Sequence, residues 1–181
     1  MILIPFPEMK LLTETLALAM GAELRTLDWH HFPDGESLMT LPGDLDGADV
    51  ALLATLRNPD HHALPLRFAA ATAREMGARR VGLIAPYLGY MRQDSRFEAG
   101  QAVSARLFAH FLGESFDWLV TVDPHLHRIA RLEEVFPIPA VRAVSAPLLA
   151  NWIKTNLPDA VLLGPDSESQ QWVAAARRCA S

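Results

Sequence analysis

The sequence predicts an α/β fold: an open, largely parallel sheet with flanking helices and a hairpin near the N-terminus. Three observations predict it. Short β-branched or aliphatic runs alternate with longer segments of helical spacing. Those runs are almost wholly apolar, as strands covered on both faces must be. Glycines stand just beyond the helical stripes, where a left-handed residue ends a helix.

The strand-like runs are Val50–Thr55, Val81–Ala85, Trp118–Val122 and Val161–Leu163. Leu12, Leu16, Ala19 and Met20 form a helical stripe closed by Gly21. Asp60 precedes a second helix with Pro65 in its first turns and Gly77 after its last. Val103, Leu107, Phe108, Phe111 and Leu112 mark a third, ended by Gly113, and Ala146 to Leu157 a fourth. Glu23 to Leu41 differs. It reads as two strands around Pro33-Asp34-Gly35, because proline presets the first φ of a turn and glycine tolerates a positive one. No linker or repeat marks a boundary. Topology puts one near Val144-Ser145, giving a domain over 1–144 and the start of a second over 145–181.

Half of the 181 residues are hydrophobic and a fifth are charged, an ordinary globular composition. The net charge of −5 gives no general attraction for nucleic acid or anionic membranes, so phosphate would have to be held by local groups. The single cysteine, Cys179, permits neither an intrachain disulfide nor a thiolate zinc cage, which suits a reducing cytoplasm. There is no basic start and no run of roughly 18 apolar residues, so a soluble, unsecreted cytoplasmic protein without membrane partners is expected.

In an open α/β sheet, ligands bind beyond the carboxyl ends of the strands. That rule selects Arg57-Asn58-Pro59-Asp60, the stretch Pro86 to Asp94, Asp123-Pro124-His125-Leu126-His127-Arg128, and Gly164 to Ser169. Arg92, Gln93 and Asp94 offer a planar cation, an amide and a carboxylate for a base or a phosphate; taken alone, the tripeptide is more simply a solvated loop leaving a strand. Asp123, His125 and His127 would share a face in an extended segment and could serve a divalent cation, although histidines at a helix start often only satisfy hydrogen bonds. Ser167 with Gln170 makes a capping box, with Asp166 just outside it. Phe32-Pro33-Asp34-Gly35-Glu36 is a turn, with Phe32 most simply a core residue. His30, His31, His61 and His62 lack metal spacing and read as surface or core groups, and the tryptophans as core.

In order, these segments resemble the ribose-phosphate pyrophosphokinase (PRPP synthetase) family, particularly its shorter bacterial members. Phe32 to Glu36 looks like the family's flap motif, Pro86 to Asp94 its "PYxGYxRQD" stretch, Thr121 to His127 its "DxH" segment, and Gly164-Pro165-Asp166 its "PD" turn. The likeness implies a phosphoribosyltransferase-like fold over 1–144, with a second similar domain only begun. It also implies transfer of pyrophosphate from ATP to ribose 5-phosphate, giving PRPP and AMP. By analogy Arg92, Gln93 and Asp94 contact ATP; His125 meets its phosphates or Mg2+; Asp166 helps with Mg2+ or ribose. Phe32, Asp34 and Glu36 would reach adenine in a neighbouring subunit, which makes a homo-oligomer part of the site.

Two departures bear on this. After Asp94 the chain reads Ser95 to Gln101, where longer relatives carry a more basic loop, so their phosphate-type regulation is not expected. The later loop with catalytic lysine and arginine, and the loop cradling ribose 5-phosphate, have no counterpart here, so the chain alone is expected to be inactive. The alternatives are a non-catalytic homologue that assembles with or regulates a true synthetase, and another phosphoribosyl-handling enzyme on the same fold.

Overall fold

Four apolar residues open the chain as a central strand. In the computed structural model, which describes residues 1–157, 159 and 161, β1 (Ile2–Pro5) is buried along its whole length. A 3-10 turn over Pro7–Met9 leads into α1 (Lys10–Met20), which ends at Gly21 with φ 59°. There follow β2 (Glu23–Leu24), β3 (Asp28–His31), β4 (Ser37–Thr40), β5 (Asp49–Leu53), α2 (Pro59–Glu75) and β6 (Arg80–Ala85). The series continues with α3 (Ser104–Gly113), β7 (Trp118–Val122), β8 (Ala140–Ala143) and α4 (Ala146–Asn156).

Six strands form one sheet in the order β2-β1-β5-β6-β7-β8. The pairs from β2 to β7 are parallel. Successive residues of a strand face opposite ways. Ile2, Ile4, Val50 and Leu52 therefore enter a large core with Leu66, Ala69 and Ala73 of α2 and Phe108 and Leu112 of α3. Leu3, Ala51 and Leu53 enter a smaller one with Ala17 of α1. The expected parallel α/β architecture is the one observed. The predicted hairpin is β3 paired antiparallel with β4, with Trp29 opposite Met39 and His31 opposite Ser37.

Several details differ from the sequence reading. The buried face of α1 is Thr13 and Ala17, with Leu16 of the expected stripe partly buried beside them, whereas Leu12 and Met20 are each about half exposed. Leu107 is likewise outward on α3, which buries Ala105, Phe108, Ala109 and Leu112. Small residues carry the α1 interface and half of the α3 one, where they let a helix lie close to the sheet, and a size-weighted stripe overlooks them. β1 and β8 were not anticipated, being four residues each. Glu23-Leu24, expected in the hairpin, adds instead to the main sheet beside β1. Phe32 is 40% exposed rather than core, and Trp152 is exposed.

Met1–Arg142 forms one compact unit and Ala143–Ser181 a second. In the second, α4 buries Ala146 and Ala150 and exposes Leu148, Leu149 and Trp152. Apart from Val161, the strand expected over Val161–Leu163 lies outside the described residues, as do the Gly164–Ser169 segment with Asp166 and the helix expected beyond it.

Candidate functional site

β1, β5, β6 and β7 run parallel, so the segments leaving their carboxyl ends emerge along one edge. Backbone hydrogen bonds join these segments. Leu56 N donates to Tyr87 O at 2.9 Å, and Val122 N to Pro86 O at 3.4 Å. Gly89 is required where two loops touch: a Cβ there would lie 2.6 Å from Leu56 O and 3.0 Å from Pro59 Cγ. Tyr90 follows with φ 65°, uncommon for a residue with a side chain, and its hydroxyl donates to Asp60 of α2. An open, largely apolar cleft of about 370 Å³ adjoins it, lined by Asp60, Tyr90, Leu107, Phe108 and Phe111 among others.

Beyond Tyr90 the turn presents Arg92 and Gln93 to solvent and turns Asp94 inward. The Asp94 side chain is only 1% exposed. Its Oδ1 accepts from Arg128 Nη1 at 2.9 Å and its Oδ2 from the Arg128 backbone N–H at 3.1 Å. Burial alone would raise the Asp94 pKa; the two Arg128 bonds and its charge outweigh that and hold the carboxyl below its ordinary value. The carboxylate expected on the nucleotide therefore also makes an internal bracket with Arg128. Arg128 lies 34 residues away and no spacing rule pairs it with Asp94.

After β7, Asp123 adopts φ 38°, so the segment is not extended there and the simple alternation expected for Asp123, His125 and His127 does not hold. Asp123 pairs with Arg142 at 3.4 Å. His125 is half-buried and His127 exposed, their rings 6.3 Å apart. Among the described residues no group of three histidine, cysteine or acidic side chains is arranged to hold a metal.

The hairpin tip presents Phe32, Asp34 and Glu36, all exposed. Asp34 Oδ1 accepts the Glu36 N–H at 3.1 Å, and Phe32 N donates to Glu36 O at 2.9 Å, which stiffens the turn. A cluster unseen in the sequence anchors its base. Trp29 packs edge-on to Phe6 at 5.2 Å and lies within 5.4 Å of the rings of His31, His61 and His62. His62 is buried, and its Nε2 lies 2.8 Å from Glu8 Oε1. The Glu8 hydrogen bond raises the His62 pKa against opposing burial, and His62 in turn lowers that of Glu8 although burial opposes it. The adjacent histidines thus serve a packing role.

A family model described as the N-terminal domain of ribose phosphate pyrophosphokinase matches residues 1–115. The chain is 38% identical over 155 residues to a protein named ribose-phosphate pyrophosphokinase from Halobacterium salinarum, covering 86% of this chain and 54% of that protein. It is 35% identical over 158 residues to one of the same name from Methanopyrus kandleri, covering 86% and 53%. The chain thus spans about half the length of the curated relatives it matches. The fold is shared with the crystal structure of phosphoribosylpyrophosphate synthetase from Mycobacterium smegmatis, at a TM-score of 0.83 and 22% identity over 99% of this chain and 59% of that one. On the domain match and the two relatives, which agree across most of its length, the chain belongs to the ribose-phosphate pyrophosphokinase family.

Proposed function

We propose that this chain supplies the ATP-side part of a ribose-phosphate pyrophosphokinase that transfers pyrophosphate from ATP to ribose 5-phosphate. The observation carrying this reading is the convergence of the β5, β6 and β7 loops on one edge, with Arg92 and Gln93 exposed on a loop that Asp94 ties to the loop after β7. Arg92 grips phosphate or stacks on the base, Gln93 donates and accepts at the nucleotide's polar edge, and His125 meets the phosphates or the Mg2+ that accompanies them. Phe32, Asp34 and Glu36 reach adenine bound to a neighbouring copy; their exposure on an anchored turn supports that assignment. Asp166 contributes to Mg2+ or ribose by resemblance alone.

In the reaction the anomeric hydroxyl oxygen of ribose 5-phosphate bonds to the β-phosphorus of ATP. The bond from that phosphorus to the oxygen bridging it to the α-phosphate breaks, AMP leaves with the bridging oxygen, and the hydroxyl proton is released. Such a step is mostly alignment and charge neutralisation. Arg92 and His125 would hold the phosphates in line, and Mg2+, when bound, would neutralise phosphate charge.

The test uses the complete gene product that carries this chain. AMP should form from ATP only when ribose 5-phosphate and magnesium are both present, and Arg92→Ala should weaken nucleotide binding by about tenfold or more. Failure to form AMP would overturn the catalytic reading. Retained nucleotide binding in that case, with copurification of an active synthetase, would favour a non-catalytic homologue.

A further inference from the structure

Two loops carry the proposed nucleotide contacts, and one side chain ties them together. Arg128 belongs to the loop after β7, three residues beyond His125. Asp94 belongs to the loop after β6, immediately after Arg92 and Gln93. Arg128 reaches Asp94 with both its backbone N–H and its Nη1, at 3.1 and 2.9 Å. Its guanidinium also lies over the ring of Phe97, 5.5 Å from the centroid.

The segment bearing Phe97 is held by its own bonds. Arg96 Nε donates to Gln101 O at 2.8 Å, and Gln101 Oε1 accepts from the N–H groups of Phe97 and Glu98 at 3.2 Å each. A ring 68% exposed at the surface of this turn has no core to fill. What it faces is the Arg128 guanidinium, a cation–π approach that suits planar arginine better than lysine. The Gln93 backbone is fixed from both sides: its N–H donates to Tyr90 O at 3.0 Å, and its carbonyl accepts from Ala105 N at 3.2 Å at the start of α3.

We propose that Arg128 is a positioning residue for nucleotide binding: clamped between the buried Asp94 carboxylate and Phe97, it sets the separation of the Arg92–Gln93 turn from the His125 loop. This deepens the nucleotide-site reading and rests on it. Asp94 then acts through Arg128 and not on the nucleotide. An ion pair with one partner buried resists salt screening, so the spacing is held before ligand arrives. The half-exposed head of Arg128 allows a competing role, direct contact with phosphate, which the variants below separate.

The experiment measures binding of AMP-PNP with magnesium to the complete gene product by calorimetry, alongside thermal unfolding. Arg92→Ala is the control for the site itself; if it leaves affinity unchanged, the nucleotide reading fails and the clamp with it. Given a working control, Arg128→Gln and Asp94→Asn should each weaken binding by roughly ten- to a hundredfold, the scale at which small misplacements act. The double variant should be no worse than the weaker single, because the pair works as one unit. Arg128→Lys should recover part of the loss, and Phe97→Leu should produce a smaller loss with little change in melting temperature. Arg128→Gln weakening binding while Asp94→Asn does not would make Arg128 a direct phosphate ligand and overturn the proposal. So would additive losses in the double variant, or unchanged affinity in both singles.

Discussion

Substituting Gly89 by alanine tests how tightly the loops after β5 and β6 are interlocked. The added Cβ would sit 2.6 Å from the Leu56 carbonyl oxygen and 3.0 Å from Pro59 Cγ. Neither neighbour is the end of a flexible side chain. One is backbone in the loop after β5, and the other is the ring of the first residue of α2. Relief therefore requires the Tyr87–Tyr90 turn to lift away, stretching the 2.9 Å bond from Leu56 N to Tyr87 O and the Tyr90 bond to Asp60. Overpacking of this kind costs about 1–3 kcal/mol. For a protein of this size each kcal/mol moves the melting temperature by roughly 2–4 °C, so a fall of about 4–8 °C is expected at the middle of the range. Thermal unfolding followed by far-ultraviolet circular dichroism measures it, and nucleotide affinity should fall in the same variant because Arg92 follows Tyr90 closely. A melting temperature within about 1 °C of the parent's would show that the two loops yield independently, and the interlocked edge would be refuted.

Gly82 stands opposite Trp118 across β6 and β7, and a Cβ there would lie 1.9 Å from the indole; Gly82→Ala should destabilise by about 1–3 kcal/mol, and Trp118→Leu in the same chain should restore much of the loss, both read by thermal unfolding. Leu83→Ala, at a fully buried position of β6, should cost about 2–5 kcal/mol by urea denaturation. The Glu8–His62 pair imposes a pH dependence. His62 is raised above its ordinary 6.5, so its contribution is complete below that value and is lost as pH rises through the folded pKa; Glu8 is lowered from 4.5, so its contribution is present above that value and fades as pH falls through its own. Melting temperature measured between about pH 6 and about pH 9 should decline for the parent and decline less for Glu8→Gln, and identical slopes would count against the pair.

Strands buried on both faces declare themselves because nothing but apolar residues fits between two layers of helices. β5, β6 and β7 could be read that way, and their parallel order follows from the helices between them. β1 is equally buried but is four residues long and ends in proline, too brief for periodicity to register. The faces of α1 and α3 were harder. Their inner surfaces include the small residues Thr13, Ala17, Ala105 and Ala109 beside Phe108 and Leu112, while Leu11, Leu12, Leu18 and Leu107 are exposed. At the site, Arg92, Gln93 and His125 were legible as chemically versatile residues at strand ends. That Asp94 faces inward was not, since its partner Arg128 becomes its neighbour only through the pairing of β6 with β7. The anchoring of Trp29 by Phe6 and the histidines escaped for the same reason: β3 must first fold back against the start of α2.

The two sets of proposed nucleotide contacts differ in how they are held, and this bears on how the site would assemble. Arg92, Gln93 and His125 hang from neighbouring strands of the main sheet through loops that are bonded to each other, so their relative geometry is part of the fold. Phe32, Asp34 and Glu36 hang from a separate two-stranded sheet, tied to the body through Trp29 and the imidazoles around it and through Leu27 and Met39. A hairpin anchored at its base and free at its tip can adjust to a neighbour's surface without disturbing the phosphate side. On the proposed reading, loosening the anchor by Trp29→Ala should then weaken adenine recognition in the assembled protein more than phosphate binding. Comparing affinity for AMP-PNP with that for tripolyphosphate, both with magnesium, would show this: the first should fall several-fold more than the second, as expected when a well-packed aromatic anchor worth about 3 kcal/mol or more is removed from only one of two contact sets. Equal losses for both ligands would mean that the hairpin and the strand-end loops form a single mechanical unit.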